Sequence, residues 1–244
     1  MAFKDFMNNL FSNDSITEEE FVGLQSLESR MLLSADFIGT NAADVFNGTG
    51  AAECIEVAGG DDTVNAGGGA DTVDAGSGND TVNGGNGADT IDGGSGDDTI
   101  NGGNGTDTID AGSGDDTVTG GRGSDSIDAG NGKDSVNGNR GADTVNGGNG
   151  KDSLNGNRGN DVVNGGNGKD VLTWSTAGGS NNDTYDGGNG KDTLVIDVSG
   201  FDQGQLDAVA AFEAALLADG SASLTIGNDT LNASNFESVV LLNS

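Results

Sequence analysis

The sequence contains no histidine, no proline and only one cysteine among its 244 residues. Without histidine, the chain can carry neither an HExxH zinc-protease site nor a Ser-His-Asp triad. A single cysteine excludes an intramolecular disulfide framework, and zinc lacks the histidine and cysteine ligands that it prefers. No apolar run reaches the roughly 20 residues that a membrane-spanning helix needs. We therefore expect neither of these hydrolase sites, no structural zinc and no membrane insertion.

Basic residues are also scarce: 40 acidic residues stand against 9 basic ones, for a formal net charge of −31. Nucleic acids and anionic membranes should repel such a chain, so neither is expected as a partner. Only 32% of the residues are hydrophobic, and this composition alone is typical of a disordered acidic linker. The partner that the charge favours is a cation.

A nonapeptide pattern, G-G-x-G-x-D-x-U-x with U an apolar residue, repeats through residues 57–172 and argues against disorder. Thirteen aspartates stand in register at intervals of nine: Asp62, Asp71, Asp80, Asp89, Asp98, Asp107, Asp116, Asp125, Asp134, Asp143, Asp152, Asp161 and Asp170. In each repeat, a triplet such as Thr90-Ile91-Asp92 predicts a short half-buried strand. A glycine-rich hexad, such as residues 84–89, predicts a sharp turn that needs positive φ angles.

A second period of 18 residues lies inside the first. Arg122, Arg140 and Arg158 are 18 residues apart. Lysines at positions 133, 151 and 169 have the same spacing. Alternate repeats therefore differ in kind, which predicts that two repeats form one turn of a two-sided solenoid with parallel strands.

The predicted core is thin, because each nine-residue repeat buries one aliphatic side chain. Such burial stabilises by about 1.5–3 kcal/mol, whereas ordering costs about 1.5 kcal/mol for every residue. Aspartates stacked at the strand spacing of about 5 Å should also repel one another. We expect the metal-free solenoid to be unfolded. Calcium takes six to eight oxygen ligands in flexible geometry, so we expect its binding both to supply the missing stability and to neutralise the repulsion between aspartates. Sites between aspartates 18 apart, such as Asp80 and Asp98, would number up to about 11; magnesium is less suited because it demands tighter octahedral geometry.

These repeats resemble the RTX, or hemolysin-type, calcium-binding repeats of secreted bacterial proteins. The resemblance implies an all-β solenoid, a right-handed parallel β-roll in which the hexads bind calcium, and it implies that the thirteen aspartates are metal ligands. Asp192 follows another complete hexad at residues 187–192 and joins this ligand set. Asp44, Glu53 and Asp183 keep the register, but they are left out because their hexads lack the glycines.

Charge is distributed unevenly along the repeats. Residues 57–128 contain fifteen acidic residues and one basic residue, whereas residues 129–174 contain five of each. We predict tighter calcium binding in the first half, since basic side chains compete electrostatically with the cation in the second. The basic columns could instead contact an anionic polysaccharide or simply form a solvated face.

The two ends differ from the repeats, and we predict three segments: a helical sorting or capping segment at residues 1–36, the calcium-binding β-roll at 37–197, and a C-terminal cap at 198–244. The cap should contain a helix over residues 202–218 and strands at 224–226 and 239–242, and it could also carry an uncleaved export signal. Near the N-terminus, residues 27–35 resemble the LEPR-XLL segment of exported bacterial proteins, with serine in place of the motif's proline. A helical cap for the roll is the alternative.

The functional hypothesis is a non-enzymatic protein that binds several calcium ions and is secreted or displayed at the cell surface, with calcium coupled to its folding. The alternative is a calcium-dependent adhesin or surface-layer component that presents the roll face to an extracellular carbohydrate or another surface. Outward threonines such as Thr63, Thr81 and Thr99 would form that face.

Overall fold

A computed structural model describes residues 36–176 and 181–242. Within these residues the chain forms a parallel β-roll, as predicted, followed by one helix and three further strands. None of the described residues forms a helix that is both long and apolar enough to cross a membrane. The predicted N-terminal helices and the LEPR-XLL-like segment lie outside the described residues.

The two faces of the roll are two sheets that receive strands alternately from the chain. The first sheet contains, in spatial order, β1 (Asp36–Ile38), β3 (Cys54–Glu56), β5 (Thr72–Asp74), β7 (Thr90–Asp92), β9 (Thr108–Asp110), β11 (Ser126–Asp128), β14 (Thr144–Asn146), β17 (Val162–Asn164), β20 (Asn182–Asp186), β24 (Asp229–Ser234) and β23 (Ser221–Ile226). The second contains β2 (Val45–Asn47), β4 (Thr63–Gly68), β6 (Thr81–Asn86), β8 (Thr99–Asn104), β10 (Thr117–Arg122), β13 (Ser135–Arg140), β16 (Ser153–Arg158), β19 (Val171–Ser175), β22 (Thr193–Asp197) and β25 (Ser238–Leu242).

The register of the strands confirms the 18-residue turn. Val82 pairs with Ile100 in the second sheet, and Val73 pairs with Ile91 in the first. The aliphatic residue of each triplet points inward and is buried, while its two neighbours face outward. The core is therefore a double row of valines, isoleucines and leucines between the two sheets.

Strand length differs between the two faces, which the uniform triplet prediction did not anticipate. In the second sheet most strands continue for six residues into the hexad, where asparagine side chains stack, as in the hydrogen bond from Asn104 to Asn86 (2.9 Å). On the other face the third hexad residue is at first serine, and Ser77 and Ser95 form only isolated bridges. From Asn131 onward that residue is asparagine, and a third sheet appears: β12 (Asn131–Gly132), β15 (Asn149–Gly150), β18 (Asn167–Gly168) and β21 (Asn189–Gly190).

Glycine is required where consecutive turns meet backbone to backbone. Gly105 has a φ of 151°, and a Cβ placed there would lie 1.3 Å from the carbonyl oxygen of Gly87. Any side chain would therefore both strain the backbone and separate the turns.

One helix follows the roll within the described residues. The predicted helix is confirmed as α1 (Gln203–Asp219), with Asp202 and Gln205 forming a capping box and Gly220 ending the helix in the left-handed conformation. Its buried residues, Val209, Phe212 and Leu216, lie on one face.

Of the three strands around this helix, β23 and β25 contain the predicted segments 224–226 and 239–242. The strand between them, β24, was not predicted. It pairs in parallel with β20 and antiparallel with β23, and β25 pairs in parallel with β22, so the first sheet of the roll gains two strands and the second gains one.

Candidate metal centre

The hexad aspartates form two internal columns, one under each row of turns. We call them the aspartate ladder, which comprises the thirteen aspartates in register from Asp62 to Asp170 together with Asp192. Every member is at most 2% exposed. The cause is local, because each hexad turns inward at its last residue just before the strand triplet begins.

One carboxylate oxygen of each ladder aspartate is held by the backbone. The Oδ1 atom of Asp98 accepts the N–H of Asp80, which lies 18 residues earlier, at 2.8 Å. The same bond recurs along both columns at 2.7–2.9 Å. The stacking of turns thus fixes the position of each carboxylate.

The second oxygen, Oδ2, is buried and has no hydrogen-bond partner in any of the fourteen ladder aspartates. A buried carboxylate oxygen without a partner is costly, and such atoms call for an explanation such as a bound ion. Here the unpartnered atom recurs at every step of the ladder, which points to a repeated site for a cation.

In several hexads that begin with glycine, oxygens from two turns border the same narrow space beside that glycine. A Cβ placed on Gly84 would lie 2.7 Å from Asp89 Oδ2 and 2.7 Å from the carbonyl oxygen of Gly102. On the other side of the roll, a Cβ on Gly93 would lie 2.9 Å from Asp98 Oδ2 and 2.6 Å from the Ala111 carbonyl oxygen. At these hexads the carboxylate therefore shares its space with a carbonyl of the next turn.

Burial strongly disfavours the ionised form of these carboxyls. It raises the pKa of Asp98 to about 7, with a further increase from the charges of Asp116 and Asp80 and a decrease from the backbone hydrogen bond. Burial is also the leading cause where the pKa rises to about 7 in Asp143 and Asp152, and to about 6 in Asp71, Asp107, Asp134 and Asp161. The repulsion expected between stacked aspartates is present, but burial is the larger effect.

The donor set fits calcium rather than zinc. Among the described residues, no group of three or more histidine, cysteine, aspartate or glutamate side chains is placed to hold a metal ion. An ion in the ladder would therefore rely on carbonyl oxygens and about one carboxylate from each turn. Calcium accepts such mixed oxygen ligands, whereas zinc prefers nitrogen and sulfur.

Asp183 continues the ladder but differs in its second oxygen. Its Oδ1 accepts the N–H of Asp161 at 2.8 Å, and its Oδ2 accepts the indole N–H of Trp174 at 2.7 Å. The indole of Trp174 thus gives Asp183 Oδ2 the hydrogen-bond donor that the Oδ2 atoms of the ladder aspartates lack. Sequence reasoning left Asp183 out of the ligand set but did not anticipate Trp174, because nothing in the repeat pattern marks that tryptophan.

The first turn contains two further acidic residues in register. Asp44 Oδ2 accepts the backbone N–H of Thr40 at 2.7 Å and the Thr40 hydroxyl at 2.9 Å. Glu53 is 5% exposed, and its Oε2 has no partner. Of these two residues, Glu53 therefore shares with the ladder aspartates a buried oxygen that has no partner.

The basic columns lie on the outside of the roll. Arg122, Arg140 and Arg158 stack along the second sheet and are exposed, as are the lysines at 133, 151 and 169. Exposed charges are screened by solvent, so their competition with a buried cation should be weaker than the sequence alone suggested. The predicted difference in calcium affinity between the two halves stays a prediction.

Comparison with known protein families identifies the repeats that form these turns. The family model described as the RTX calcium-binding nonapeptide repeat (4 copies) matches residues 55–82, 76–109, 83–118, 110–145, 137–172 and 177–194. The matched segments together cover more than half of the chain. A comparison with curated proteins finds no match.

Proposed function

Because this chain belongs to the family of RTX calcium-binding nonapeptide repeat proteins, whose repeats bind calcium in a structural β-roll, we propose that calcium binding drives the folding of this protein outside the cell. RTX repeats are typical of secreted proteins. The proposal includes secretion or display at the cell surface and a non-enzymatic role.

The proposed ligands are the ladder aspartates, with ions held between consecutive turns. The row of buried, unpartnered Oδ2 atoms carries this assignment, and several of them, such as those of Asp89 and Asp98, share a narrow space with a carbonyl oxygen of the next turn. The strict repeats would hold up to about eleven ions, and the hexad before Asp192 would add a ligand beyond them.

The coupling to folding follows from the cost of the buried carboxylates. Above pH 7 the calcium-free roll must either keep charges buried or bind protons, as the raised pKa of Asp98 indicates. A calcium ion removes this cost, and each site contributes about 2.7 kcal/mol when free calcium is 100-fold above its Kd. Extracellular calcium modules have Kd values of about 10⁻⁴–10⁻³ M, so the chain would stay unfolded where calcium is scarce and fold where it is abundant.

Calorimetric titration of the chelator-treated protein with calcium tests this proposal, with magnesium as the control titrant. We expect several ions per chain and a large heat of coupled folding with calcium only. Absence of calcium binding at 10 mM, or equal binding of magnesium, would refute it.

A second candidate is a calcium-dependent adhesin, favoured by the regular outer face of the second sheet. Thr81, Thr99 and Thr117 stack in register there, and Asn101 donates a hydrogen bond to Asn83 at 3.2 Å in the neighbouring column. Such a flat polar array could bind an extracellular carbohydrate. A carbohydrate array probed with and without calcium distinguishes the two functions, because a purely structural calcium module would bind no glycan in either condition.

A further inference from the structure

Glu53 lies outside the segments matched by the family model, which begin at residue 55. It ends the irregular hexad formed by residues 48–53, in which only Gly48 and Gly50 are glycine. Its side chain is nevertheless 5% exposed. One carboxylate oxygen, Oε1, accepts a hydrogen bond from the hydroxyl of Thr49. The other, Oε2, is buried without a partner.

The surroundings of Glu53 match those of the ladder aspartates. Its N–H donates to Asp71 Oδ1 at 2.8 Å, the same bond that links successive ladder members. A Cβ placed on Gly48 would lie 3.1 Å from Glu53 Oε2 and 1.9 Å from the carbonyl oxygen of Ala66. The free oxygen therefore shares its space with a carbonyl of the second turn, as Asp89 Oδ2 does further along the same column.

Asp44, on the opposite side of the first turn, provides the contrast. Its N–H also donates to a ladder aspartate, Asp62, at 2.6 Å. Its Oδ2, however, already accepts two hydrogen bonds from Thr40, so no atom there requires a cation. The two acidic residues of the first turn thus share a register and differ in whether the second oxygen is satisfied.

We propose that Glu53 is the acidic ligand of an additional calcium ion bound between the first two turns of the roll, whereas Asp44 binds none. The inference rests on the proposed function. The longer side chain of glutamate lets Oε1 bond to Thr49 while Oε2 borders the same space beside Gly48 as the Ala66 carbonyl oxygen. An ion there would fasten the first described turn to the second, where β1 and β2 each have one strand neighbour among the described residues.

The test compares calcium stoichiometry in the full-length chain and in two variants, measured by equilibrium dialysis with radioactive calcium. Glu53→Gln should bind one ion fewer than the wild type, and Asp44→Asn should bind the wild-type number. An unchanged stoichiometry in Glu53→Gln would overturn the inference, as would an equal loss in Asp44→Asn, which would indicate loosening of the first turn.

A crystal structure of the wild type grown in calcium keeps the inference testable even if Glu53→Gln does not fold. The expected result is an ion about 2.3–2.6 Å from Glu53 Oε2; ions along the ladder with none at Glu53 would overturn it. If the wild type binds no calcium at all, the proposed function itself fails, and that result is distinct from either outcome for Glu53.

Discussion

Replacement of Asp98 by asparagine should stabilise the folded state in the absence of calcium and destabilise it in the presence of calcium. The amide oxygen can still accept the N–H of Asp80 (2.8 Å). The new NH₂ group would take the place of Oδ2, in the space beside Gly93 that the Ala111 carbonyl oxygen also borders. The variant therefore removes a buried charge and also removes a proposed calcium ligand.

The magnitude follows from the pKa of Asp98, which burial raises from 3.8 to about 7. About three pK units correspond to roughly 4 kcal/mol at 1.36 kcal/mol each. In the folded calcium-free state at pH 8, Asp98→Asn should remove up to that cost. With calcium at 100 times Kd, it should lose the roughly 2.7 kcal/mol that one site contributes.

The assay is the folding equilibrium, followed by circular dichroism across a calcium titration at pH 8. The slope of log K for folding against log free calcium gives the number of ions taken up. Asp98→Asn should lower that slope by at least one and raise K at the lowest calcium concentrations. Asp97→Asn is the matched control, because it removes the same charge one residue away at an exposed position where Asn79 occupies the same column. Equal slopes for the two variants, or a lower K for Asp98→Asn in chelator, would refute the reasoning.

Three further predictions concern the turns, the end of the ladder and pH. Gly105→Ala should lower the free energy of unfolding in calcium by more than the roughly 1–3 kcal/mol of backbone strain alone, because the new Cβ would lie 1.3 Å from the Gly87 carbonyl oxygen; Gly50→Ala, with open space around it, is the control in thermal unfolding. Trp174→Phe should cost at least the roughly 1.5–3 kcal/mol of a hydrogen bond to a charged group, measured by urea unfolding in calcium, since Asp183 would lose the indole donor to Oδ2; an unchanged midpoint would contradict the role given to the indole. In chelator, the strand signal in circular dichroism should increase as the pH falls from 8 to 5. The pKa values of the ladder aspartates in the folded state, about 6 to 7, lie above the ordinary value of 3.8. The calcium-free roll therefore gains stability on acidification and loses it as the pH rises through 6–7. A signal that decreases between pH 8 and pH 5 would show that the sign is wrong.

The repeat region could be predicted from the sequence because its information is local and periodic. The nonapeptide pattern predicts which residue of each triplet is buried, and the 18-residue spacing of Arg122, Arg140 and Arg158 predicts the strand register that β10, β13 and β16 adopt. The assignment of the ladder aspartates as ligands stays a prediction, although their burial and their unpartnered oxygens are consistent with it.

The end of the roll depends on contacts that the repeat period does not predict. Between Asp161 and Asp183 the turn lengthens to 22 residues, and the partner of the second carboxylate oxygen becomes Trp174. Nearby, the Tyr185 hydroxyl accepts the N–H of Gly156 at 3.2 Å and donates to the Thr173 carbonyl at 3.1 Å. These are tertiary hydrogen bonds of single residues, which composition and spacing do not reveal.

The relative sizes of repulsion and desolvation at the aspartates also became clear only from the structure. The sequence predicts two costs for the calcium-free roll, the ordering of a chain with a thin core and the repulsion between stacked aspartates. The buried position of each carboxylate makes desolvation the larger cost, as for Asp98 and Asp143. The backbone N–H that each Oδ1 accepts partly offsets it, and only the stacked geometry shows that bond.

The central claim is that calcium is a condition of folding, and far-ultraviolet circular dichroism tests it most directly. The full-length protein would be measured at pH 8 in chelator, then in 10 mM calcium, and then in chelator again. The account predicts a disordered spectrum in chelator, strand signal in calcium and reversal when calcium is removed. Strand signal of equal strength in chelator would contradict it.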